Sequence, residues 1–159
     1  MTVDRSHEPV AVNRVAFRHG SIELQWEAGR FTSTVEVLID DVELSVRLQA
    51  VTRRGVVPIL AVDIDDELAL WGPSPEAIPE SDMIPDGLVP VATCGCTTFG
   101  CGGACARVEF QGDVVVWRAF HEVLNPDESI PIALGNFVFD GRQYEEARRA
   151  FVSTATGEG

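Results

Sequence analysis

The stretch Val35-Glu-Val-Leu-Ile-Asp40-Asp41-Val-Glu-Leu-Ser-Val-Arg-Leu48 decides the fold class. Val35, Val37 and Ile39 recur at period two, and so do Val42, Leu44, Val46 and Leu48. That period puts alternate side chains on one face of an extended strand. Two acidic residues join the runs, a spacing that predicts a β-hairpin. Upstream, Ile22, Leu24 and Trp26 alternate with Glu23, Gln25 and Glu27 before a turn at Gly29-Arg30. Val10 to Phe17 alternates as well, with a slip near Asn13. Downstream, Val56 to Val62 is a short β-branched run, read as a more buried strand, and Leu68 to Trp71 as another short one.

Between Gly72 and Pro90 lie five of the nine prolines. Proline neither donates to a ladder nor continues a helix, so this is a long connection. It joins two strand-rich halves, 10–71 and 88–152, of a single domain covering 1–159. Neither half is long enough for a comfortable core alone. In the second half, Leu88–Cys94, Cys105–Phe110 and Asp113–Ala119 read as strands, with Gln111-Gly112 as a tight turn. Glu122 to Ile132, with its two prolines, reads as a loop, and Phe137–Phe139 as an edge strand. A helix is predicted over Gly141–Val152. Asp140 caps it, Gln143 stands three residues on as in a capping box, and Phe139 can staple onto Tyr144. Tyr144, Ala147 and Phe151 share its apolar face. The expectation is an α+β, strand-rich domain: mainly antiparallel sheet with one principal C-terminal helix. On the same strand patterns, Trp26, Trp71 and Trp117 are expected in or near the core.

Charge narrows the partners. The chain carries 12 basic residues, all Arg, against 25 acidic ones, a formal net charge of −13. Phosphate backbones and anionic membranes both demand a basic surface, so neither nucleic acid nor membrane is expected as a partner. Met1 to Pro9 is polar, without the apolar core of a secretory signal, and no window reaches the ~18 apolar residues of a membrane helix. A cytoplasmic protein with reduced thiols is the expectation.

All four cysteines fall in the loop Cys94-Gly-Cys96-Thr-Thr-Phe-Gly-Cys101-Gly-Gly-Ala-Cys105. Glycine lets a backbone curl tightly around a centre, and thiolates suit zinc in a tetrahedral set of four. Cys94, Cys96, Cys101 and Cys105 are therefore the candidate metal ligands, with zinc as the cofactor. The spacing matches neither the paired Cys-x-x-Cys knuckles of zinc sites nor the iron–sulfur patterns. Cys105 also begins a strand, where its side chain can point away from the loop. Two other readings stay open: reduced thiols packed in a tight turn, and a redox pair of Cys94 with Cys96 or Cys101. His121 is a further candidate, as a fourth ligand or as a base to a thiolate. Asp63, Asp65, Asp66 and Glu67 lack the glycine of a calcium loop and read as a solvated turn.

The pieces Val89-Pro-Val-Ala-Thr-Cys94-Gly-Cys96, Phe99-Gly-Cys101-Gly-Gly, Gly112-Asp-Val-Val-Val-Trp117 with Phe120, and Phe137-Val-Phe-Asp140 with Gln143-Tyr144 resemble a family of uncharacterised small bacterial proteins, common in actinobacteria. The resemblance covers residues 88 to 151. It implies a fold and no known activity. Cys94, Cys96 and Cys101 match its pattern, whereas Cys105 stands where its members carry an ordinary strand residue.

No nucleophile elbow, phosphate-binding loop, dinucleotide fingerprint or zinc-hydrolase helix is present. The functional expectation is a non-enzymatic domain that binds a protein partner, its Cys/Gly loop shaped by thiols or structural zinc. The alternative is a small thiol-redox or metal-dependent enzyme using Cys94, Cys96 and Cys101.

Overall fold

A computed structural model describes residues 12–60, 71–72, 87–95, 102–125 and 128–157. Within them the chain is strand-rich, with the strands and helices β1 (Val15–Glu23), β2 (Phe31–Ile39), β3 (Val42–Glu43), α1 (Leu44–Gln49), β4 (Val56–Leu60), β5 (Val89–Cys94), β6 (Gly103–Gln111), β7 (Val114–Asn125), β8 (Glu128–Pro131), β9 (Phe137–Asp140) and α2 (Gly141–Gly157). The described strands make one sheet in the order β1-β2-β4-β5-β6-β7-β8, with β3 beside β2 and β9 beside β7. The pairings between named strands are antiparallel. The sheet curls until Asn13, just ahead of β1, meets Phe139 of β9 in an isolated parallel bridge. The α+β class read from the alternation holds.

The Asp40-Asp41 turn is where the sequence placed it. Both residues take positive φ, 54° and 67°, as a two-residue hairpin turn of the I′ kind requires. The second arm differs from the expected strand. It extends only through Val42–Glu43 and then winds into α1. Leu44 and Leu48 are four apart and both buried, while Val46 faces solvent, so the apolar residues serve a helical face. Glu36 on β2 fixes this geometry. Its buried carboxylate accepts the Ser45 hydroxyl at 2.6 Å and the Ser45 amide at 3.3 Å.

The alternation at Ile22, Leu24 and Trp26 also misleads at its end. β1 stops at Glu23, and the chain reverses with the Leu24 amide donating to the Arg30 carbonyl at 2.8 Å. Leu24 is buried, but Trp26 is 60% exposed, so it is not a core tryptophan. Trp71 and Trp117 are fully buried, as expected.

In the second half, Gln111 pairs with Val114, so the turn consists of Gly112-Asp113, one residue later than read, with Gly112 at φ 63°. The expected loop from Glu122 is instead strand. β7 runs on to Asn125 and β8 returns beside it. A bulge explains why the pattern was hard to read. Arg107 pairs with Arg118 and Cys105 with His121, so Ala119 and Phe120 together face Ala106. Ala119 sits at φ 57°, the left-handed residue of such a bulge. The extra residue resets the alternation, so Trp117 and Phe120 both reach the core although they are three apart.

Helix α2 begins where the sequence predicted, the Gln143 amide donating to the Asp140 carboxylate at 3.0 Å. Phe139 packs on Tyr144, with ring centroids 5.7 Å apart. The Gln143 side chain, expected to reach back to the cap, turns to β1 instead. Its amide accepts from Val15 N at 3.0 Å and donates to Val15 O at 2.7 Å. It thereby satisfies an edge strand as a neighbouring strand would. Tyr144 is the keystone of the core. Its hydroxyl donates to the Trp71 carbonyl at 2.8 Å and accepts the Trp117 indole N–H at 3.1 Å, amid the rings of Phe17, Trp71, Trp117 and Phe139.

Candidate functional site

The cysteine loop comes first, because the sequence singled it out. Cys94 and Cys105 are both buried; Cys96 and Cys101 lie outside the described residues. Strands β5 and β6 do pair across the loop, but they do not bring the two described thiols together. The Cys94 amide donates to the Gly102 carbonyl at 3.2 Å, whereas Cys105 pairs with Pro90. Cys94 stands level with Gly102, three residues from Cys105, or roughly 10 Å along a strand. The faces differ too. Ala92 and Ala104 pair and share a face. Cys94, two residues from Ala92, points to that face, and Cys105, next to Ala104, points to the other. Sulfurs sharing one zinc at about 2.3 Å from it lie within about 4 Å of each other. Cys94 and Cys105 therefore cannot belong to one tetrahedral site in this arrangement.

Cys105 packs with Leu88 and Val123. Burial pushes its thiol up to about 12, so it stays protonated and poorly nucleophilic at neutral pH. His121 is its cross-strand neighbour, which makes a cysteine–histidine couple worth weighing. The imidazole is committed elsewhere, its Nδ1 lying 2.9 Å from the Ala119 carbonyl, to which it must donate. No sulfur–imidazole hydrogen bond joins the two among the described residues. Nor do three or more His, Cys, Asp or Glu side chains converge on a possible metal position among the described residues. The acids Asp63, Asp65, Asp66 and Glu67 lie outside them.

Glu122 had no role in the sequence reading. It is buried on the Cys94 side of the sheet, level with Ala104, and its carboxylate accepts the Arg53 amide at 2.7 Å and the Arg54 amide at 2.9 Å. The Gly55 carbonyl just beyond accepts the Gly95 amide at 3.1 Å. Glu122 thus pins the turn that braces the base of the cysteine loop. Gly102 completes the brace: a Cβ there would come within 2.3 Å of the Val123 carbonyl, and its φ of 136° suits only glycine.

A cleft of about 700 Å³ opens between the β6–β7 turn and the first turn of α2. Phe110 and Val115 line it, with Asp113, Asp140, Arg142 and Glu145 on its rim. Asp140 is spent on capping α2 and Glu145 on Arg148, and no cysteine, serine or histidine faces it among the described residues.

The surface feature that stands out is the β1–β2 turn. Trp26 is 60% exposed and Phe31 63% exposed, the most exposed large apolar side chains among the described residues. The turn that carries them is ordered by its own bonds. Leu24 N donates to Arg30 O, Arg30 N donates to Glu27 O at 3.1 Å, and Gly29 N donates to the Glu23 carboxylate at 2.6 Å. Gly29 adopts φ 85°, with open space around it. The signal was present in the sequence: Trp26 sits between Glu23 and Gly29-Arg30, inside the turn. The period-two run ahead of it absorbed it into a strand.

No helix of the described residues is long and apolar enough to cross a membrane. Comparison of the chain with protein families, with curated proteins and with solved structures finds no match.

Proposed function

We propose that this chain is a non-enzymatic protein-binding domain of the cytosol whose contact surface is the β1–β2 turn. The observation that carries the reading is the pair Trp26 and Phe31, held out on a hydrogen-bonded turn with Arg30 beside them. Large aromatic rings left in water cost free energy that binding recovers, and Trp and Arg are the residues most enriched among energetic anchors of interfaces. A preordered turn loses little entropy on docking.

The cysteine loop plays a structural part in this reading. Cys94 sits at the base braced by Glu122, and a zinc ion there would be held by Cys94, Cys96 and Cys101, with Cys105 serving as a core residue. Burial keeps the Cys105 thiol protonated, which suits a core residue and not a metal ligand. The net charge of −13 favours a basic partner at long range and disfavours nucleic acid.

The test compares immobilised wild-type protein with the Trp26→Ala/Phe31→Ala double variant in extract of the source cells, read by quantitative mass spectrometry. Both side chains are exposed, so the melting temperatures should agree. A protein retained by the wild type and lost from the variant is the expected result. Identical sets on both would refute the assignment of the contact to this turn.

A further inference from the structure

We propose that the outer edge of β1, from Phe17 to Glu23, takes an extended segment of a basic partner protein as an additional strand, at a site separate from the Trp26–Phe31 contact. The phase of the hydrogen-bond ladder carries the proposal. The Arg14 carbonyl accepts the Asp40 amide and the Leu24 amide donates to the Arg30 carbonyl, each at 2.8 Å, so the even-numbered residues of this stretch bond towards β2. The odd-numbered residues turn their N–H and C=O groups away from the sheet. The first two of these are closed. The Asn13 amide donates to the Val138 carbonyl at 2.7 Å, and the Gln143 side chain bonds both the Val15 amide and the Val15 carbonyl. Beyond Val15 the closure stops. The backbone groups of Phe17, His19, Ser21 and Glu23 have no hydrogen-bond partner on this side among the described residues, along about 20 Å of strand. β1 also lacks the usual guards of an open edge, having no proline, no lysine and no bulge against β2. Helix α2 leaves the edge clear. It meets β1 through the rings of Phe17 on Tyr144, 6.0 Å apart, and His19 on Phe151, 4.0 Å apart. Side chains stand upright on a sheet, so α2 lies over the face of β1, and Arg18 to Ser21 stay exposed.

An unpaired row of backbone donors and acceptors fits an extended chain, which completes the ladder. Charge selects which chain. Arg18 is spent on Glu43. The Glu23 carboxylate accepts the Gly29 amide at 2.6 Å but forms no ion pair among the described residues. The edge therefore ends in a carboxylate without a counter-ion, on a chain of net charge −13. A lysine or arginine set opposite Glu23 supplies that counter-ion, and the field of the whole chain draws a basic segment in. A second copy of this chain is the poorer occupant. It brings another net charge of −13, and antiparallel pairing centred on Gly20 sets each Glu23 opposite a Phe17.

The test reads amide hydrogen exchange by NMR on the full chain, alone and with an end-capped heptapeptide of alternating lysine and valine, at about 0.15 M NaCl. In the free protein the amides of Phe17, His19 and Ser21 should exchange fast and those of Arg18, Gly20 and Ile22 slowly, the alternation of a strand paired on one side. The peptide should slow the three fast amides by about tenfold. The same peptide N-methylated at every residue has no backbone N–H to donate and should slow none of them. A glutamate–valine heptapeptide should slow none either. Glu23→Gln keeps the acceptor for Gly29 and removes the charge, and should weaken the lysine peptide by about threefold. The Trp26→Ala/Phe31→Ala variant should show the same protection as the wild type, so the edge and the turn stand or fall separately. Slow exchange at Phe17, His19 and Ser21 without peptide would overturn the proposal, and its loss on dilution would name a second copy as the occupant. Equal slowing by the glutamate peptide, or slowing by neither peptide, would overturn it as well.

Discussion

Removing one oxygen atom, in Tyr144→Phe, should unsettle the core more than any other change of that size. The ring is fully buried, and burial raises its hydroxyl far above the ordinary phenol value. The hydroxyl ties three parts of the chain: α2, β7 through Trp117, and the segment at Trp71. Phenylalanine keeps the ring contacts with Phe17, Trp117 and Phe139 and strands two polar partners. The Trp117 indole N–H loses its acceptor and the Trp71 carbonyl its donor. Each buried orphan costs about 1–3 kcal/mol, partly offset because a hydroxyl is no longer buried. The net expectation is a loss of about 2–3 kcal/mol, a substantial part of the 5–15 kcal/mol typical of a whole domain. Urea denaturation followed by far-ultraviolet circular dichroism reads this directly, with the midpoint falling and the slope unchanged. A loss below about 0.5 kcal/mol would show that the hydroxyl network does not hold α2 to the sheet.

Four shorter predictions accompany it. Ala119→Gly should stabilise the fold by up to about 1 kcal/mol, since an alanine at φ 57° carries the left-handed penalty that glycine escapes; a destabilised variant in the same urea assay would mean the methyl packs usefully. Cys105 should resist iodoacetamide in the native protein at pH 8 and react only on unfolding, because burial keeps it protonated to about 12; mass spectrometry showing rapid native labelling there would contradict its position in the core. Glu36, whose pKa burial raises above its ordinary 4.5, favours the folded state most when protonated, so its contribution is present at low pH and is lost as pH rises through the folded-state value; the stability difference between wild type and Glu36→Gln should move against the wild type from about pH 4.5 upward, and a difference independent of pH would show that the carboxyl titrates as it does unfolded. Acrylamide should quench a tryptophan component that disappears in Trp26→Ala, Trp71 and Trp117 being sealed; full protection of all three indoles would place Trp26 under cover.

Where local signals agree with the tertiary environment, the chain is readable from its letters. The strand class, the Asp40-Asp41 turn, the strand Val89–Cys94 (read from Leu88) and the start of α2 at Asp140 each rest on residues within a few positions of one another. Charge is likewise a property of the sequence alone. Four things were decided only in three dimensions. Leu44 and Leu48 satisfy period two and period four equally, and the Glu36 carboxylate, nine residues from Ser45, settles the choice for helix. The bulge at Ala119 is set by pairing with Ala106, so no local pattern announced that Trp117 and Phe120 would share a face or that β7 would run on to Asn125. Trp26 carries the same letter as Trp71 and Trp117, yet β1 ends three residues before it, and it alone of the three stands in water. Four cysteines close together in sequence suggested one centre. The alternation of side chains across β5 and β6 turns Cys94 and Cys105 to opposite faces, because a strand fixes the direction of every side chain and sequence distance does not.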